Sequence, residues 1–178
     1  MPDLPSSSQR VLDAAARKGV TLEIVTFDES THTAEEAARA VRAEVGQIVK
    51  SLVFVADRDE GPEPYLVLVS GANMVDVSLL AAILTEPRMR RATADEAHSF
   101  TGFTIGGIPP FGHARSIRTV MDPDLGRFAT IWAAAGTPNA VFSVTPQTLR
   151  VLTNAVVAPI ANAPMRSNEQ PASAPSGA

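Results

Sequence analysis

Cysteine is absent from the 178-residue chain, which excludes disulfides, thiol nucleophiles and thiolate metal ligands. Histidine is almost as scarce. His32, His98 and His113 lie far apart, and none falls in HExxH or another ligand spacing, so no metal site is expected. Positive charge is not in excess either: 15 Lys and Arg against 19 Asp and Glu leave a formal net charge of -4. A protein that grips long stretches of nucleic-acid backbone needs many cations, so that class is disfavoured. A pocket that takes only the end of a nucleic acid is compatible with this charge. Long hydrophobic runs are also missing. The longest, "SLVFVA" and "PYLVLVSG", are strand-length, so no membrane partner is expected. The opening "MPDLPSSSQR" has neither a basic start nor an apolar core, and a cytoplasmic protein is expected.

The common catalytic signatures are missing too. No GxxxxGK[ST] phosphate loop, no GxGxxG opening a helix and no GxSxG nucleophile elbow occurs, and Ser70 in "VSGAN" lacks the elbow context. The carboxylates are scattered, and no pair of glycosidase type can be singled out.

What the chain does contain reads as one α+β domain. Residues 1–8, rich in Pro and Ser, are expected to be a flexible arm, residues 9–161 the folded domain, and residues 162–178 a disordered Ala/Pro/Ser tail. "QRVLDAAARKG" places Val11, Leu12, Ala15 and Ala16 on one helical face and stops at Gly19. "THTAEEAARAV" and "TADEAHSF" carry capping boxes, Thr33 with Glu36 and Thr93 with Glu96. "DVSLLAAIL" and "TPQTLRVLT" read as two more helices, the latter capped by Thr145 with Pro146 in its first turn. "TLEIVTF", "VKSLVFVAD", "PYLVLVSG", "IRTVMD", "RFATIWAAAG" and "NAVFSV" read as strands, the second and third forming a hairpin through "RDEGPE". The expected architecture is a curled, mostly antiparallel, barrel-like sheet with surrounding helices. "EPRMRRA" reads as solvated surface.

Two features invite a chemical reading. Lys50 heads an apolar strand in "QIVKSLVFV", where it either snorkels at the sheet edge or aims a cation into a cleft, toward a phosphate or an ester carbonyl. "TGFTIGGIPPFGH", Thr101–His113, packs four glycines and two prolines into thirteen residues that are otherwise largely apolar. It is either a tight connection or a bare backbone wall whose N–H groups meet a ligand, stiffened by Pro109 and Pro110.

Five blocks in this order, "THTAEEAA", "IVKSLVFV", "LVLVSGANMVD", "GFTIGGIPPFGH" and "WAAAGTPNAVFSVTPQTL", resemble the YbaK/EbsC family, which shares its fold with the editing domain inserted in bacterial prolyl-tRNA synthetases. The resemblance spans roughly residues 10–160. It implies a trans-editing aminoacyl-tRNA deacylase that hydrolyses the ester of a mischarged tRNA, tRNA-Pro or a related one, without cofactor or metal. The partners it implies are the 3′ CCA end of that tRNA and, as a second candidate, an aminoacyl-tRNA synthetase. The family's strand-end Lys corresponds to Lys50 and its GxxxP loop to Gly106–Pro110. On these terms Lys50 and the N–H groups of Gly106, Gly107 and Ile108 are the expected catalytic set. Ile105, Pro109, Pro110, Phe111, His113, Ser70, Gly71, Met74 and Thr31 are the expected substrate contacts. His32 and Thr33 also border the expected cleft.

The branch that removes alanine from tRNA-Pro carries Asn after the Lys, Gly-Ser in the loop and a His-Pro pair. This chain has Ser51, Gly107 and "GTPN" at those places, which leaves cysteine, serine, threonine or another residue open. Two rival readings remain: a non-catalytic module binding a tRNA end, a nucleotide or a synthetase, and a hydrolase of small esters or amides.

Overall fold

The longest strand pair forms where the sequence is most β-branched. In the computed structural model, which describes residues 3–162, β2 (Val49–Arg58) and β3 (Gly61–Ser70) pair antiparallel over their full length, from Val49 opposite Ser70 to Arg58 opposite Gly61. β5 (Arg90–Arg91) covers β2 only at Phe54 and Val55. On the other side β6 (Arg118–Met121) and β9 (Val156–Val157) extend the sheet in parallel, giving the order β5-β2-β3-β6-β9. A second sheet sets β8 (Ala140–Val144) between β1 (Ile24–Thr26) and β7 (Ile131–Ala134). A third pairs β4 (Met74–Val75) with β10 (Ala161–Asn162). Among the described residues five of the seven strand pairings are antiparallel.

The α+β class and the antiparallel bias agree with the sequence reading. The curled, barrel-like sheet does not appear: no described sheet closes on itself. The second sheet meets the first through a single parallel bridge, Ile48 with Trp132, so the two stay separate and leave part of the β2 edge open.

Alternation along β2 and β3 divides the interior in two. Val49, Val53, Val55, Leu66 and Leu68 face a large core with Ile131 and Phe142 of the second sheet, Val11 and Ala15 of α1 (Ser6–Ala16), and Leu149 and Leu152 of α5 (Pro146–Thr153). Phe54 and Val67 face a smaller one with Leu80 of α3 (Val77–Leu84) and Ile160. Each of the Val, Leu, Ile and Phe side chains among these stabilises the fold by about 1.5–3 kcal/mol when fully buried. Both expected capping boxes are present, at the starts of α2 (Ala34–Val41) and α4 (Ala94–Thr101).

Two boundaries move. α1 begins at Ser6, inside the expected arm, because Ser8 is fully buried and its hydroxyl donates to Ala135 O at 2.7 Å. Pro5 immediately precedes the helix and suits its entry. At the other end Asn162, placed in the expected tail, pairs with Met74 in β10, and the rest of that tail lies outside the described residues. Among the described residues no helix is long and apolar enough to cross a membrane.

Candidate active site

The open edge of β2 forms one wall of a cleft of about 340 Å³. Thr31–Ala34, leading into α2, make a second wall, and Trp132–Ala134 of β7 with Val141 of β8 a third. Ile105, Gly106 and Ile108 of the Gly/Pro loop close it. Thr31 fixes the rim: its N–H and hydroxyl both donate to Pro138 O, at 2.9 and 3.0 Å, tying the start of α2 to the "GTPN" turn. That turn is itself braced by Thr137 Oγ1 donating to Asn139 Oδ1 at 2.9 Å and Asn139 Nδ2 to Phe27 O at 3.1 Å.

Lys50 lies on the cleft wall, half-buried, its Nζ donating to Asn73 O at 2.5 Å. Burial holds its ammonium below the usual Lys range. The carboxylates of Glu35 and Asp122 oppose that shift, and Arg91, which also lines the cleft, adds to it. Ser51 points from the next position of β2. Among the described residues its Oγ is the one buried side-chain polar atom without a hydrogen-bond partner, and Ser51 is among the residues lining the cleft. A buried hydroxyl left unpaired costs on the order of 1–3 kcal/mol, and a ligand able to pair with it recovers that cost.

The loop owes its shape to two glycines. Gly106 has φ +96°, a conformation that disfavours a side chain. Gly107 packs against the turn so closely that a Cβ would sit 2.7 Å from Thr137 Cα. Its N–H donates to Thr104 O at 3.0 Å, which removes it from the expected oxyanion donors. Among the described residues the N–H groups of Gly106 and Ile108 have no backbone acceptor of this kind.

The remaining expected contacts fall elsewhere. Pro110, Phe111 and His113 line a separate shallow groove with Arg17, Lys18 and Arg115, and Pro109 is buried. His113 Nε2–H donates to Pro109 O at 2.7 Å and its ring packs edge-on to Phe103, so it braces the loop from behind. Burial pulls its imidazole below the usual 6.5. Phe111 is core, edge-on to Phe142 at 5.6 Å. Ser70 donates its hydroxyl to Gly46 O at 2.7 Å, and a Cβ on Gly71 would meet Val45 O at 2.4 Å, so both serve packing behind β2. Met74 is 70% exposed on β4 and does not line the cleft. Of the expected set, the structure gathers Lys50, Thr31, Ile105, Gly106 and Ile108 in one place.

One cleft thus unites the strand-end cation with the bare loop, lined by four of the five blocks of the sequence resemblance, while the fifth, "LVLVSGANMVD", reaches it only through the Asn73 carbonyl that holds Lys50. The aminoacyl-tRNA editing domain family matches residues 28–152. The chain belongs to that family. The editing domain is an aminoacyl-tRNA deacylase, as the resemblance implied. A crystal structure of a candidate trans-editing enzyme for prolyl tRNA synthetase superposes with a TM-score of 0.83 at 45% identity, covering 90% of this chain and 99% of that one. The multifunctional Ser/Thr-tRNA deacylase ProXp-y of Escherichia coli (strain K12) is 28% identical over 129 residues, 72% of this chain and 77% of that protein. The proline–tRNA ligase of Limosilactobacillus fermentum is 31% identical over 96 residues, which is 53% of this chain but only 17% of the ligase.

Sequence reasoning did not place Arg91, Trp132 or Asn73 at or beside this site. Arg91 belongs to the run read as solvated surface, and only its pairing with Phe54 turns it toward the cleft. Ser51 carried a usable signal, a single hydroxyl in an apolar strand.

Proposed function

We propose that the editing domain hydrolyses, in trans, the ester of a tRNA charged in error with serine or threonine, tRNA-Pro or a related tRNA. Only the 3′ CCA end enters, which suits a cleft of about 340 Å³ in a chain of net charge -4. The observation that supports the reading is that Lys50, Gly106 and Ile108 line one and the same cleft. Lys50 holds the terminal phosphate or the ester carbonyl as a point charge. The Gly106 and Ile108 N–H groups face the carbonyl oxygen and stabilise the charge that develops on it. The neighbouring ribose hydroxyl positions or activates water. Water adds to the carbonyl carbon, the carbon–oxygen bond to the ribose breaks, and the leaving oxygen takes the proton, releasing free amino acid and tRNA. The ester is already activated, so orientation and charge stabilisation supply most of what the protein must add.

The amino acid follows from Ser51. Its unpaired hydroxyl offers a hydrogen bond to a hydroxyl-bearing side chain and nothing to alanine. The Escherichia coli relative named for Ser/Thr-tRNA supports the same class. The test is deacylation of tRNA-Pro carrying Ala, Cys, Ser or Thr, with wild type and Ser51→Ala, alongside a seryl ester lacking tRNA. Wild type is expected to prefer Ser and Thr, and Ser51→Ala to reduce that preference roughly tenfold, the range of one lost hydrogen bond. Equal turnover of all four by both proteins contradicts the assignment, and equal turnover of the small ester points to a small-molecule hydrolase.

A further inference from the structure

Behind the cleft wall lies a buried carboxylate without a cation in contact. Asp122, at the end of β6, is 2% exposed and forms no salt bridge among the described residues. Its charge is met by neutral donors. Oδ1 accepts from Asp124 N at 2.9 Å, and Oδ2 accepts from Ser70 N at 3.1 Å and from Asn73 Nδ2 at 2.9 Å. Asn73 is 5% exposed, and its amide also donates to Asp124 Oδ2 at 2.7 Å. The Asn73 backbone is then fixed at both ends: its N–H donates to Ser70 O at 2.9 Å, and its carbonyl accepts the Lys50 ammonium. A buried charge normally needs a compensating ion, since several kcal/mol of lost hydration are otherwise unrecovered. The cation this network reaches is Lys50, one residue removed, through Asn73.

We propose that Asp122 is a positioning residue for the editing reaction, acting through Asn73 to pin the Lys50 ammonium against the cleft wall. The geometry has a consequence that a packing role lacks. One N–H of Lys50 is held by the Asn73 carbonyl, and the other two are left for the cleft. Without the carboxylate, the amide of Asn73 loses one of its two acidic acceptors and the turn that presents its carbonyl loosens. The inference rests on the role proposed above for Lys50, but its test is separable from it.

The charged groups that act on Lys50 are Glu35 of α2, Arg91 of β5 and Asp122, directly after β6. The two carboxylates favour the ammonium while burial and Arg91 disfavour it, so removing Asp122 lowers the Lys50 titration midpoint. The chain has two lysines, Lys18 and Lys50, so a protein labelled with ¹³C,¹⁵N-lysine gives two side-chain signals, assigned with Lys18→Arg. In Asp122→Asn the Lys50 midpoint is expected to fall, with that of Lys18 unmoved. The same variant is expected to lose roughly tenfold in kcat with KM nearly unchanged. A Lys50 midpoint that stays in place in the folded variant overturns the proposal.

Should Asp122→Asn fail to fold, Asn73→Ala keeps both backbone donors on Asp122 and cuts only the brace. Its expected signature is a lower order parameter for the Lys50 side chain with the same loss of kcat, and an unchanged order parameter overturns the proposal. If Lys50→Ala leaves deacylation intact, the functional reading fails, whereas the link between Asp122 and Lys50 stands or falls on these NMR measurements alone.

Discussion

His113 shows how a residue expected to contact substrate is found bracing a loop once its neighbours are known. Its Nε2–H is committed to Pro109 O and its ring to Phe103, on the far side of the loop from the cleft. Because burial disfavours the imidazolium, its folded pKa lies below the unfolded value of 6.5, and between the two the unfolded chain binds more protons. Stability therefore falls as pH drops through 6.5 toward the folded value, by at most about 1.4 kcal/mol per pH unit from this group. His113→Gln keeps a donor for Pro109 O and is expected to flatten that acid limb in urea unfolding. Parallel limbs for wild type and variant would contradict the assignment. Lys50 was legible as an unusual charge because a cation at the head of an apolar strand is conspicuous in sequence. Asn73 and Asp122 were not, since the contacts that join them to each other and to Lys50 and Ser70 span 23 to 52 residues along the chain.

At the scale of elements, local rules served well wherever the determinants are local. Thr33 with Glu36 and Thr93 with Glu96 start their helices as the spacing implied, and the β2–β3 hairpin forms where two β-branched runs flank a short polar turn. Rules of this kind do not reach the two-residue strands β4, β5, β9 and β10, which exist only because a neighbouring backbone offers partners. The Gly/Pro loop lies between these cases. Its rigidity was legible, but which N–H groups stay free depends on Thr104, and its outer face on Thr137 and Pro138. Gly107→Ala would press a methyl into the Thr137 backbone. The expected result is a loss of about 1–3 kcal/mol, read by urea unfolding, together with a fall in deacylation as Gly106 and Ile108 shift. Wild-type stability and activity would show that the loop and turn are not fitted to each other.

For the molecule as a whole, the cleft exists because the two larger sheets do not merge: the open β2 edge is the space between them. The N-terminal segment helps to close the domain, since Ser8 is bonded to Ala135 immediately after β7, and Gly136 packs against the Ser7 backbone. Deleting residues 1–8 is therefore expected to lower Tm by several degrees, whereas deleting residues 164–178, beyond the β10 pairing, is expected to leave it unchanged. The class of reaction was legible because five blocks spread along the chain had to agree. The amino acid was not: Ser51 stood out as a hydroxyl in an apolar strand, but that its hydroxyl lacks a partner shows only in the fold. The most direct measurement is single-turnover deacylation of seryl- and threonyl-tRNA-Pro by wild type and by Lys50→Ala shown to be folded. The account predicts turnover by wild type and a loss of about a hundredfold or more in the variant, in the range of a removed electrostatic stabiliser. Full activity in Lys50→Ala, or none in wild type with tRNA in excess, would contradict it, and the latter would leave a binding module of the same fold.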